Sequence, residues 1–204
     1  MRPPWSASVS TSASSAPAIS SPNRATTPTS RSAPQECSDV AFVTYPHPVL
    51  AQKGEATKVD ATLLAIGERL RAAAIDARAY GLAGAHIGEA APVIVLNVAP
   101  DAPKADYRLF FNPRVSAVAD EVESGTEGSV SLPGVEVAVE RPIWAEIAYE
   151  DADGAGRTER FEGFLARCAL HEIDQVDGVF FLDRLSRLKR DMVLKKFLKR
   201  QRLG

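Results

Sequence analysis

The segment from Phe161 to Leu185 reads FEGFLARCALHEIDQVDGVFFLDRL, and it decides most of what can be inferred about this chain. Within it, His171 and Gln175 are separated by four positions, which places both on one face of an α-helix. Two histidines at this spacing form the HExxH pattern, in which the imidazoles bind a divalent metal and the intervening glutamate acts as general base toward bound water. A glutamine replaces the second histidine here, so only half of the metal-binding pair is present.

Two upstream segments give this helix a context. They read GLAGAHIG from Gly81 to Gly88 and EGSVSLPG from Glu127 to Gly134. In order and separation, these segments and the HExxQ helix resemble the three motifs of the peptide deformylase family. The likeness begins at Tyr45 with YPHPVL, similar to the family's opening YPDPxL, and runs through Arg187. It implies a single α+β domain, residues 41–204, with antiparallel or mixed sheets around a central HExxH-type helix.

The resemblance implies a metal site that this chain has altered. In the deformylases, a cysteine thiolate and the two histidines of HExxH bind Fe²⁺ or a substitute such as zinc. The matching positions carry Ser129, His171 and Gln175. A serine hydroxyl supplies neither the charge nor the softness of a thiolate, and Gln175 offers only an amide oxygen. We therefore expect no tightly bound metal cofactor, with His171 as the one retained ligand.

The remaining site residues also follow from the resemblance. Glu172 matches the glutamate that moves protons, and His86 replaces the glutamine that supports the oxyanion. Val130, in the second motif, is also expected to have a catalytic role. The positions expected to contact substrate are Tyr80, Gly81 and Cys168. Tyr80 stands where a smaller aliphatic residue normally faces the substrate's methionine side chain.

Two functional hypotheses result. The family removes the formyl group from the N-terminal formylmethionine of nascent peptides, and the leading hypothesis is a deformylase-like binding module or pseudoenzyme without that metal-dependent activity. The alternative is a hydrolase with a rearranged site, acting on an N-formyl or related amide. Such a site would combine His86, His171 and Glu172 around a metal, or would activate Ser129 through either histidine.

The remaining pattern predicts the elements around these motifs. Asp60 is expected to cap a helix that ends at Tyr80, because apolar residues follow at spacings of three and four. Strands are predicted over 93–98 and 108–111, and two alternating strands over 135–149 are predicted to join around Arg141-Pro142. A turn is predicted at Asp151–Gly154.

Composition limits the class of protein. The chain has 204 residues, is 45% hydrophobic and has a formal net charge of −2, as expected for one ordinary domain. No apolar stretch is long enough to span a membrane. The two cysteines, Cys37 and Cys168, argue against a disulfide framework and favour a reducing compartment, the cytoplasm.

Residues 1–40 are predicted to be a disordered tail. Residues 1–35 contain no acidic residue and are mostly Ser, Thr, Pro and Ala, a composition that cannot bury enough apolar surface to fold. The arginines Arg2, Arg24 and Arg31 leave a transit peptide and an organellar location as an alternative. Several prolines that would break a targeting helix favour a plain extension or an overlong gene start.

The C-terminal segment from Arg187 to Arg202 is strongly basic. Its eight Lys or Arg residues against one acid give a local charge of +7, so the rest of the chain carries −9. Some deformylases dock on ribosomal RNA through a C-terminal helix, so the resemblance implies contact with the ribosome or nascent peptide and no DNA partner. The alternative is a solvated helix whose basic residues complement its dipole.

Overall fold

Three helices and seven strands follow one another in the computed structural model, which describes residues 41–201. The helices are α1 (Ala61–Ala77), α2 (Gly163–Val176) and α3 (Arg187–Gln201). The strands are β1 (Gly81–Ala83), β2 (Val93–Asn97), β3 (Tyr107–Val118), β4 (Val122–Gly128), β5 (Glu136–Pro142), β6 (Trp144–Glu150) and β7 (Gly156–Glu162). The predicted α+β class is confirmed. The predicted tail and its transit-peptide alternative lie outside the described residues.

The strands form two sheets in which all neighbours are antiparallel. The larger sheet has the order β1-β2-β3-β6-β7, and β4 pairs only with β5. Along β2, Ile94 and Leu96 pack in the cluster that contains the inner face of α2, whereas Val93 and Val95 pack in the cluster that contains α1. Successive side chains of a strand point to opposite faces. The two helices therefore cover opposite faces of the larger sheet, with α2 as the buried central helix.

Helix α1 begins as predicted and ends earlier than predicted. The Asp60 carboxylate accepts a hydrogen bond from the backbone N–H of Leu63 at 2.9 Å, which caps the first turn. The prediction that the helix reaches Tyr80 is wrong. Arg78 adopts a left-handed conformation with φ 51° and its N–H bonds to carbonyls of the last turn, so the helix ends at Ala77.

The predicted strands lie where strands are observed, but their lengths and pairing partners were not fully predicted. Strand β3 extends well past Phe111, because pairing with β6 resumes after an irregularity at Asn112, whose φ is 47°. Strands β5 and β6 do follow one another around Arg141-Pro142, but they belong to different sheets and do not pair. The turn at Asp151 is confirmed, since its carboxylate accepts hydrogen bonds from the N–H groups of Asp153 and Ala155. Strands β1, β4 and β7 were not predicted.

The basic C-terminal helix is confirmed as α3. It attaches to the domain through Phe197, which is buried in a cluster with Phe180 and Phe181. Leu188 and Met192 on the same helix are 72% and 63% exposed, so they do not pack on the domain. Among the helices described between residues 41 and 201, none has the length and apolar character that crossing a membrane requires.

Replacing Gly125 in β4 with alanine should destabilise the fold by about 2 kcal/mol, the cost typical of forcing an added group into a packed site. A Cβ atom at this position would lie 2.6 Å from Cζ of Arg167, whose guanidinium is hydrogen-bonded to backbone carbonyls and Glu127 and has little room to move. The matched control is Gly156→Ala in β7, where no atom lies within 4 Å of the added carbon. Urea unfolding measures both variants. Equal stabilities would contradict this packing.

Candidate active site

The first and third motifs meet where β1 passes beside α2. A Cβ atom added to Gly81 would lie 2.9 Å from Cγ of Glu172 and 3.0 Å from its Oε1. Only glycine therefore lets this strand approach the glutamate so closely. The inner face of α2 is apolar around this point, so Glu172 is held at 1% exposure.

His171 is oriented by a buried carboxylate from the second motif. Its Nδ1 lies 2.9 Å from Oε2 of Glu127, which is fully buried and also accepts hydrogen bonds from Arg141 and Arg167. Burial alone would raise the pKa of Glu127, but hydrogen bonds from Arg141 and His171 outweigh it and lower the pKa to about 2. Because this carboxylate is ionised, His171 donates its Nδ1–H to it. Burial would lower the pKa of His171, yet the bond to Glu127 and the charge of Glu172 raise it.

His86 is a neutral, buried histidine with a defined tautomer. The backbone N–H of Ala83 donates to its Nδ1 at 2.9 Å. Burial, reinforced by the charge of His171, lowers the pKa of His86 to about 3. A neutral imidazole that accepts at Nδ1 carries its proton on Nε2. This Nε2 lies 3.4 Å from Oγ of Ser129, so His86 donates toward the serine and cannot take a proton from it at that nitrogen.

Ser129 lies in the turn that follows β4, and it is half-buried. Its Oγ accepts a hydrogen bond from the backbone N–H of Ser131 at 3.1 Å. The side chain of the neighbouring Val130 packs in the cluster that contains α1. The catalytic role of Val130 stays a prediction.

Gln175 does not point its amide nitrogen into the site. This nitrogen donates a hydrogen bond of 2.7 Å to the backbone carbonyl of Leu50, in the short 3₁₀ turn Pro48–Ala51. The side chain is 2% exposed. Gln175 therefore ties the opening segment of the domain to α2.

Glu172 is buried in an environment that disfavours its negative charge. Its Oε2 makes no hydrogen bond with any described residue and lies 3.6 Å from Nδ1 of His86. Burial, aided by the negative charge of Glu127, raises the pKa of Glu172 to about 7. Near neutral pH this side chain exists in both charge states.

The expected substrate-binding residues do not all reach a common surface. The half-buried Tyr80 ring contacts Phe164 edge-on, with ring centres 4.9 Å apart. Phe164 borders two cavities of about 420 and 210 Å³, and Arg167 lines the smaller one. Cys168 is fully buried in the core between α2 and the sheet, where burial raises the pKa of its thiol well above its usual value. Its contact with a substrate stays a prediction.

The side chains at the family's metal-ligand positions are a poor match for iron or zinc. They offer one imidazole, one hydroxyl that already accepts a hydrogen bond, and one amide whose nitrogen is held by Leu50. In the recruited alternative of His86, His171 and Glu172, Nδ1 of His86 already accepts a hydrogen bond from the Ala83 N–H, so that nitrogen is not available to a metal. Between residues 41 and 201, no group of three or more His, Cys, Asp or Glu side chains is arranged to hold a metal ion.

Sequence reasoning missed the partners that hold the site together. Glu127 was recognised only as the first residue of the second motif, yet it is the group that orients His171. The sequence feature that could have indicated this role is its position two residues before Ser129, within the second motif. Nothing in the sequence links Arg141 to Glu127, or Gln175 to Leu50, since the members of each pair are far apart along the chain.

Comparison with known proteins identifies the relatives of this chain. Residues 40–191 match the family model described as polypeptide deformylase. A peptide deformylase of Agrobacterium fabrum is 38% identical over 79% of this chain and 95% of its own length. A Rhizobium meliloti protein described as peptide deformylase-like is 37% identical over 78% and 91%. The crystal structure of peptide deformylase from Ehrlichia chaffeensis superposes with a TM-score of 0.72 at 28% identity, covering 80% of this chain and 97% of that one.

Replacing Glu172 with glutamine should stabilise the protein at pH 8 and have little effect at pH 5. The folded-state pKa of Glu172, about 7, lies above the ordinary value of 4.5, so ionisation increasingly opposes folding as pH rises through that interval. The gain should be about 3 kcal/mol at pH 8 and below about 1 kcal/mol at pH 5. Urea unfolding of both proteins at the two pH values measures it. A gain that does not change with pH would show that Glu172 ionises normally.

Proposed function

Because this chain belongs to the polypeptide deformylase family, we propose that it keeps the family's fold as a peptide-binding module and lacks metal-dependent deformylation. The bond from the Gln175 amide to the Leu50 carbonyl is the observation that carries this proposal. A ligand that binds metal must direct a lone pair at the ion. Gln175 instead directs its donor group at the backbone, and its remaining amide oxygen is a weak ligand for iron or zinc.

The environment of Ser129 supports the same proposal. A thiolate at this position would contribute a negative charge to the metal, whereas the Ser129 hydroxyl is neutral and receives the Ser131 N–H at 3.1 Å. Without a bound metal, water is not acidified, and Glu172 has no activated nucleophile to assist.

Peptide contact is the part of the family's function that the proposal retains. Strand β1 forms one edge of the five-stranded sheet, next to Glu172, and edge strands bind extended peptides through main-chain hydrogen bonds. The Tyr80 ring, immediately before β1, contacts the Phe164 ring edge-on and offers apolar contact area. Gly81 keeps this strand free of a side chain at its closest approach to α2.

The proposed partner of α3 is ribosomal RNA. Exposed lysines, among them Lys195, Lys196 and Lys199, lie on the same helix as the exposed Leu188 and Met192. Concentrated positive charge on an otherwise acidic chain favours an anionic surface as partner.

The combined replacement of Ser129 by cysteine and Gln175 by histidine should create metal binding that the natural chain lacks. It supplies a thiolate and the second imidazole beside His171, leaving a fourth position open. Titration with Co²⁺, followed by its visible absorption, should show about one tightly bound ion in the double variant and none in the natural protein. Adding His86→Gln should then give measurable hydrolysis of formyl-Met peptides, slowed where Tyr80 crowds the substrate.

Two controls make this experiment decisive. Ser129→Ala with Gln175→His lacks the thiolate and should bind Co²⁺ far more weakly than the cysteine variant. If the natural protein itself deformylates formyl-Met peptides at a comparable rate, and Glu172→Ala abolishes this, the proposal is wrong.

Binding to ribosomes through α3 should fall steeply as salt rises, because each phosphate contact displaces counterions. Cosedimentation with ribosomes between about 50 and 200 mM salt tests this, and several contacts predict a loss of about a hundredfold or more. Neutralising Lys195, Lys196 and Lys199 with glutamine should abolish binding. Neutralising Arg69, which is on α1 and pairs with Glu89, is the matched control. If the α3 variant binds ribosomes as well as the natural protein does, α3 is a solvated helix and does not bind RNA.

A further inference from the structure

We propose that β7 is the interface of a homodimer, in which the β7 strands of two copies pair antiparallel about a two-fold axis through Thr158. Strand β7 is the edge of the five-stranded sheet opposite to β1, and among the described residues it pairs only with β6. Pairing across this edge would join two five-stranded sheets into one continuous sheet. The interface goes beyond the proposed function, because it does not involve the residues around Glu172.

The outer edge of β7 is long, regular and accessible. Its seven residues pair with β6 without a register shift, and most of them are exposed, including Arg157, Thr158 and Arg160. Proteins commonly protect an edge strand with a proline, a bulge, a covering segment or charged side chains. Within the described residues, β7 has only the last of these. Whether a second strand can pair with it therefore depends on the signs and positions of its charges.

The backbone groups that face outward belong to the even-numbered residues of β7. The N–H of Asp151 donates to the Ala155 carbonyl at one end of the hairpin, and the N–H of Gly163 donates to the Ile143 carbonyl at the other. Along an antiparallel pair, the residues of one strand alternate between bonding to the partner strand and facing away from it. The odd-numbered residues therefore bond to β6, and the even-numbered ones face the open edge. These are Gly156, Thr158, Arg160 and Glu162.

The charges of β7 favour one register. A two-fold axis through Thr158 places Arg157 of each copy opposite Glu159 of the other, in the non-hydrogen-bonded positions where side chains approach most closely. An axis through Arg157 or Arg160 would oppose two arginines, and an axis through Glu159 would oppose two glutamates. In the favoured register, Thr158 opposes its own copy and Gly156 opposes Arg160, and each such pair exchanges two N–H···O bonds. Opposite charges and backbone pairing thus agree on the same alignment.

The two charged side chains are held in place within each copy. Nη2 of Arg108 lies 2.6 Å from Oε2 of Glu159, and Nε of Arg157 lies 2.8 Å from Oδ2 of Asp151. A guanidinium has further N–H groups, and a carboxylate has further lone pairs, with which to bind the opposing copy. Because Arg157 and Glu159 are already oriented, they lose little conformational freedom when the copies pair.

Sedimentation velocity of the full-length protein tests the interface. Between about 1 and 300 μM, the range in which a small interface dissociates, the natural protein should change reversibly from monomer to dimer. Arg157→Glu and Glu159→Arg each oppose like charges and should weaken the dimer about tenfold or more. The double variant exchanges the two signs, so it should restore association to near the natural level. Damage to the fold by the single changes would not give this recovery.

Thr158→Pro tests the backbone pairing. It removes an N–H that faces the open edge, where proline is tolerated, so the variant should fold and stay monomeric. Arg69→Glu on α1 is the matched control, since Arg69 is exposed and pairs with Glu89, and it should dimerise like the natural protein. If Thr158→Pro does not fold, shown by its melting curve, the charge exchange carries the test.

Two results would overturn the inference. One is a natural protein that stays monomeric over the whole concentration range. The other is a dimer that persists in both single charge reversals and in folded Thr158→Pro, which would place the interface on another surface, such as the exposed Leu188 and Met192 of α3.

Discussion

The buried carboxylate of Glu127 is the contact on which the site depends. It accepts hydrogen bonds from Arg141 in β5 and from Arg167 and His171 in α2, so one side chain joins the small sheet to the central helix. Burying an ionised carboxylate is costly, and removing one partner of such a cluster typically destabilises a protein by about 3–5 kcal/mol. Arg141 also bonds to Asp174, which Arg184 contacts in turn. The network fixes the orientation of His171 through its Nδ1 atom.

Hydrogen bonds within the protein explain the residues at positions 129 and 175. In a structural metal site, part of the folding free energy comes from binding the ion. Here the residues at the matching positions bond to the protein itself, Gln175 to the Leu50 carbonyl and Ser129 to the Ser131 N–H. Both side chains are thus engaged by the backbone in the described structure. Glu172 keeps a buried carboxyl with one oxygen that has no hydrogen-bond partner among the described residues.

The sequence predicted the parts of the fold that local rules determine. The cap at Asp60, the turn at Asp151 and the buried run that became β2 follow from short-range hydrogen bonds and hydrophobic periodicity. It could not predict that β5 and β6 enter different sheets, because strand pairing is a long-range property. In the site, the motifs identified His86, His171 and Glu172 as neighbours. The tautomer of His86 and the pairing of His171 with Glu127 depend on contacts that no spacing encodes.

The central claim is that this member of the family folds and functions without a bound metal. Elemental analysis of protein purified anaerobically and then desalted tests it most directly. We expect far less than one iron, zinc, nickel or cobalt per chain, because His171 is the only retained ligand of the family's set. Near-stoichiometric metal that disappears in His171→Ala would contradict it.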